Sequence, residues 1–139
     1  MIDYESLLDT LRNAGFEDDG VVLSIDTLPI SASKGIFLRS SISGDRIDYE
    51  LPRFCRGTFR LIARAATYQE GQKLLLDAIS ILQINKKTKK IGDMNVRYCR
   101  AITSPISYPV SEGNLREFAV NMEICYDDLG ESYPWEDEK

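Results

Sequence analysis

The chain has 139 residues, 43% of them hydrophobic and 28% charged, with a formal net charge of −5 and no histidine. That length suits one domain burying roughly two-thirds of its chain surface, and the acid surplus works against nucleic-acid binding driven by overall charge. The missing histidine removes the commonest general base, the commonest transition-metal ligand and the usual near-neutral switch together.

"DYESLLDTLRNAG" opens the chain as an amphipathic helix. Asp3 can cap it, Leu7, Leu8 and Leu11 form the apolar stripe, and Gly15 suits a left-handed stop. "VVLSIDTLP" reads as a strand. "GIFLRSSI" and "RIDYEL" read as two more, joined around "SGD", with Pro52 ending the second or confining it to an edge. In "GTFRLIARAAT", Phe59, Leu61, Ala63 and Ala65 share one face and Arg60, Ile62 and Arg64 the other. Thr67 and Glu70 form a capping box for a helix whose apolar face carries Leu74, Leu75, Ala78, Ile79 and Leu82. That helix ends near "INKKTKK", where lysines suit its negative end.

"MNVRYCRAIT" follows Gly92 as a strand, with Met94, Val96, Tyr98 and Ile102 on one parity. Pro105 and Pro109 bracket a short "ISY" segment. "REFAVNMEICY" alternates strictly: Phe118, Val120, Met122, Ile124 and Tyr126 face a core, and the other parity faces water or a partner. Two groups of strands with few crossovers predict an α+β fold, a mainly antiparallel sheet flanked by two principal helices. Residues 1–126 form one domain and 127–139 an acidic tail. The secure pair is roughly 94–103 against 115–126, antiparallel.

Little in the chain offers catalysis. Cys55, Cys99 and Cys125 are odd in number and widely spaced, so buried free thiols are expected rather than disulfides or a zinc site. No phosphate loop occurs, and nucleophile–histidine pairs are impossible. Glu17, Asp18, Asp19, Asp26, Asp45, Asp48, Glu50, Asp127 and Asp128 fall mostly in turns and at strand ends, where solvated acids are the default over a hard-cation site. The start lacks a signal peptide's basic and apolar blocks, and no apolar run approaches a membrane span. The expectation is a cytoplasmic chain with no catalytic residue, cofactor or metal.

Three features suit contact with other proteins. Lys86, Lys87, Lys89 and Lys90 form the only basic cluster. "SPISYPVSEGN" offers Tyr108, Glu112 and Asn114. The tail offers Asp127, Asp128, Tyr133 and Trp135, whose aromatics either pack on their own domain or dock on a neighbour.

The layout of a leading helix, "FRLIARAATYQEGQKLLLDAISIL" and "YPVSEGNLREFAVNMEICY" resembles the tail terminator proteins of long-tailed bacteriophages, also termed minor tail or minor capsid proteins. The resemblance covers most of the chain and rests on a strand of the form "FxLxxRA", then "TYQEG", an amphipathic helix and the late alternating strand. It implies a non-enzymatic virion subunit that forms a homohexameric ring at the head-proximal end of the tail tube, assembled in the bacterial cytoplasm. Its implied partners are itself, the tail tube protein and a head completion or connector protein, with DNA passing through the ring without specific binding and no membrane contact. The alternatives are a head completion (stopper) protein, a tail tube subunit, or a small ligand-binding or enzymatic domain.

Overall fold

The computed structural model describes residues 1–29, 31–41, 44–47, 50–51, 53–109 and 114–131. The elements in order are α1 (Tyr4–Asn13), β1 (Val22–Ile25), β2 (Gly35–Ser40), β3 (Arg46–Ile47), β4 (Phe54–Ala65), α2 (Tyr68–Leu82), β5 (Lys89–Ile91), β6 (Met94–Ala101), β7 (Ile106–Pro109) and β8 (Arg116–Asp128), with a 3-10 turn at Glu17–Asp19 after α1. The fold is α+β. Its strands make one sheet in the order β1-β2-β4-β8-β6-β5, with β3 added to β4 and β7 to β8. Among the described residues no helix is long and apolar enough to cross a membrane.

Both helices begin as their caps dictate. Asp3 Oδ1 accepts from the Ser6 amide at 3.1 Å, and Thr67 Oγ1 accepts from the Glu70 amide at 3.2 Å. Gly15 takes φ +92°, a conformation open to a residue without Cβ, just past the end of α1. The apolar stripes then settle on one side of the sheet. Leu7, Leu8 and Leu11 of α1 and Leu74, Leu75, Ala78 and Leu82 of α2 share a core with Ile36, Leu38, Phe59, Leu61, Ala63, Val120, Met122, Ile124 and Tyr126. The centre of that sheet is the long β4–β8 pair, antiparallel from Phe54 opposite Asp127 to Ala65 opposite Arg116. Here the alternation seen in the sequence becomes physical: Leu61 faces Val120, Ala63 faces Phe118 and Phe59 faces Met122.

β6 pairs antiparallel with β8 as expected, Met94 opposite Asp128 through Ala101 opposite Met122. The parity expected within β6 fails after Val96. A bulge between Val96 and Tyr98 spends one extra residue, so Cys99 turns into the core and Tyr98 to the opposite face. Ile102 is left 47% exposed beyond the end of the strand. A bulge reverses every later side chain, and strict period-2 reasoning cannot anticipate it.

The sequence left the partners of the early strands open. Among the described residues β2 and β3 each lie antiparallel to β4, at Leu38–Leu61 and Ile47–Cys55 for example. β1 runs parallel to β2, with Val22 opposite Gly35. A parallel neighbour requires a crossover. Residues 26–29 and 31–34 belong to it, on the face of the sheet opposite the helices. Their Leu28 packs there on Phe37, Ile62 and Ala119, a small second cluster.

Candidate assembly surface

The crossover is tied down by a buried ion pair. Arg64 and Glu117 stand opposite each other on β4 and β8 and are only 5% and 9% exposed. Arg64 Nε donates to Glu117 Oε2 at 2.9 Å, and its two terminal nitrogens donate to the carbonyls of Pro29 at 2.7 Å, Ala32 at 3.3 Å and Leu28 at 3.3 Å. One guanidinium thus satisfies a carboxylate and three loop carbonyls, as its fork of donors allows. Tyr108 of β7 sits opposite Glu117; burial first, then the Glu117 charge, pushes its phenol up.

Among the described residues the rest of this face has no helix over it, and it is rich in arginine. The β-pairing places Arg39, Arg46, Arg56, Arg60 and Arg64 on it from β2, β3 and β4, and the β6 bulge adds Arg97 and Arg100. The β6 arginines are neutralised within the chain. Arg97 Nε pairs with Asp127 at 3.0 Å and its guanidinium lies 5.6 Å from the Phe54 ring centre. Arg100 pairs with Glu123 at 3.3 Å and stacks over Tyr98 at 4.4 Å. Arg39 and Arg60, exposed and directly opposite across β2 and β4, have no carboxylate within ion-pair distance among the described residues. Between them lies a depression of about 380 Å³ lined also by Ser40, Ser41, Thr58 and Asn121.

The residues expected to make contacts divide between the two ends of β8. Lys86 and Lys87 are exposed in the loop after α2, and Lys89 and Lys90 lie exposed on β5 at the side of the sheet. Lys90 opposes Asn95, which in turn opposes Asp127, so the lysine strand sits near the end of β8. Asp127 there is held by Arg97 and by Asn95 Nδ2 at 3.2 Å. Asp128 pairs with the N-terminal ammonium at 3.1 Å. Tyr108 is half-buried and Asn114 exposed with φ 54°, both at the start of β8. Glu112, Tyr133 and Trp135 lie outside the described residues. The pair Arg39–Arg60 was missed because only the register of β2 on β4 brings those positions together.

No described His, Cys, Asp or Glu residues gather into a set able to hold a metal ion. All three cysteines are buried and unpaired, and desolvation pushes their thiols up, that of Cys99 to about 12.

The bacteriophage tail terminator protein family matches residues 10–128, from within α1 to the end of β8. The chain belongs to that family. Its members are structural proteins of the phage tail, and this terminator-family chain is a virion component of that kind. A chain from the virion of a native gene transfer agent particle is similar in fold, with a TM-score of 0.71 at 10% identity over 90% of this chain and 94% of that one. No curated protein matches the sequence.

Proposed function

We propose that this chain is the tail terminator itself: six copies form a ring at the head-proximal end of the tail tube, stop its polymerisation and present the surface on which a head completion or connector protein docks. The observation that supports this most is the family match, which takes in the end of α1, the whole of α2 and every strand of the sheet. A role in assembly also agrees with a chain whose charged side chains are arranged over an open face rather than converging in an enclosed pocket.

A ring that ends a tube needs one face for the tube and another for the head. The two ends of β8 differ in chemistry as such a role requires. One carries the lysines of β5 beside Asp127 and Asp128, the other Tyr108 and Asn114. In this reading DNA passes through the ring without specific binding, and the acidic residues after Asp128 contact the lysines of a neighbouring copy. Assembly takes place in the host cytoplasm and ends at the head–tail junction.

Native mass spectrometry tests the ring. Six times 15.8 kDa gives a species of about 95 kDa for a closed cyclic assembly. Particles assembled without the chain test the role, and overlong tails are the expected outcome. Full-length tails separated from filled heads would move the chain to the joining step instead.

A further inference from the structure

We infer that the arginine face of the sheet is one half of the contact between successive copies, and that the acidic turn after α1 is the other half. This rests on the ring reading. Arg39 opposes Arg60 and Arg46 opposes Arg56, two cross-strand pairs of like charge on one face. Like charges directly opposite destabilise a sheet unless an anion lies between them. For Arg39 and Arg60 no carboxylate within ion-pair distance supplies that anion among the described residues. Both guanidinium groups are exposed, and the Asp26 carboxylate nearby is bound to the Ser40 amide and hydroxyl instead, at 3.2 and 3.3 Å. Arg39 reaches the Asp26 carbonyl at 3.4 Å and lies 5.5 Å from the Phe37 ring centre, and Arg60 reaches Asn121 Oδ1 at 3.4 Å.

The depression between them has the chemistry of a seat for carboxylate side chains and is roomy enough for more than one. It offers two guanidinium forks, the Thr58 hydroxyl and the Asn121 amide. Arginine forks match carboxylates with two parallel hydrogen bonds. A recess between two exposed guanidinium groups favours an inserted side chain over a nucleic-acid backbone, so the group taken is a protein carboxylate.

The same chain carries the complement. Residues 1–20 hold Asp3, Glu5, Asp9, Glu17, Asp18 and Asp19 against one basic side chain, Arg12. Arg12 is taken up by Asp9 and by Glu17, the latter at 2.8 Å. Asp18 and Asp19 stay exposed in the 3-10 turn with no ion pair among the described residues. This turn follows α1 on the helix side of the sheet, and the arginine pairs lie on the other side. Opposite surfaces that attract give a head-to-tail contact, which closes into a ring when the rotation between copies allows. Bringing Asp18 and Asp19 of one copy to Arg39 and Arg60 of the next neutralises both.

A charge exchange tests this with the full chain. The Arg39→Glu, Arg60→Glu variant and the Asp18→Arg, Asp19→Arg variant are each expected to lose the wild-type oligomer in sedimentation velocity, with circular dichroism melts confirming that both fold. An equimolar mixture should recover the oligomer, because each reversed surface then meets a reversed partner in alternation. Oligomers that persist in both single variants would place the contact elsewhere, overturning this inference and leaving the ring intact. A mixture that stays monomeric would overturn it too, as would a wild-type chain that never associates unaided; ring formation is then scored separately on purified tail tubes. Retention of a short DNA duplex by the wild type and not by Arg39→Glu, Arg60→Glu would reassign the face to phosphate.

Discussion

Arg64 brings a full positive charge into a site where it is 5% exposed, and it remains there because Glu117 and three carbonyls of the crossover meet its donors. Removing one partner strands the other in a medium that solvates it poorly. Arg64→Ala and Glu117→Ala are each expected to cost about 3–5 kcal/mol, and the double variant markedly less than the sum. Urea unfolding of the four proteins measures the coupling; additive losses would show that the pair does not act as a unit. Two tyrosines set a second test. Burial first, then the charges of Asp45 and Asp26, pushes the Tyr4 phenol up to about 12. Burial and the hydrogen bond to Asp45 push Tyr126 up as well. A pKa raised on folding stabilises the protein below the unfolded value of 10.0 and loses that stabilisation as the pH climbs through the folded one. Melting temperature should therefore fall between pH 10 and about 12, and Tyr4→Phe should make that fall shallower. An equally steep fall in Tyr4→Phe would remove Tyr4 from the cause.

At the scale of elements, α2 and β4–β8 hold each other at one close point. A Cβ on Gly71 of α2 would come within 2.6 Å of the Phe118 ring on β8, and Phe118 is itself packed edge-on to Tyr68 at 5.0 Å. Helix propensity alone favours alanine there by about 1 kcal/mol. The ring has nowhere easy to move, so Gly71→Ala is expected to lower the melting temperature; a rise would show that Phe118 yields. α2, β4 and β8 were legible from the sequence because each is long enough for its period to be plain and its caps or alternation agree with its burial. The placement of the short strands was not. "GIFLRSSI" and "RIDYEL" read as strands from their alternation, but local pattern contains nothing about their shared partner β4. The parallel β1–β2 pair depends on Leu28, whose docking on Phe37 and Ile62 exists only once the sheet has formed. In β6 one added residue, at Arg97, reversed the faces of Tyr98 and Cys99. Ion pairing was equally hidden: Asp127 and Asp128 look like solvated acids in sequence and are held by Arg97 and the N-terminal ammonium in the fold.

Over the whole molecule, net charge conceals distribution. The chain carries −5 overall, yet its arginines gather on one face of the sheet and its first twenty residues are acidic. Averaged composition pointed away from polyanion contacts without revealing a surface of the opposite sign. The lysines of the loop and of β5 form a separate basic region, exposed and without ion pairs among the described residues. Exposed charges more than about 8–10 Å apart are screened at ordinary ionic strength. If neighbouring copies meet through these lysines, oligomers should weaken as salt rises, and replacing Lys86, Lys87, Lys89 and Lys90 with alanine should remove most of that dependence. Sedimentation over a salt series compares the two slopes. Unchanged slopes would exclude the lysines as a driver.

The strands at the outer margins of the sheet are brief: β1 has four residues, β5 three and β7 four. Each leaves only a few main-chain groups toward solvent, and β5 covers its margin with lysine side chains, a known deterrent to strand addition. A further copy therefore has almost no backbone template on which to lay a strand. In the proposed ring, copy number is left to side-chain chemistry and the angle at which two surfaces meet, so a point substitution can alter it without touching the sheet. For a chain of the tail terminator family, this makes the folded protein a poor seed for strand addition by another copy.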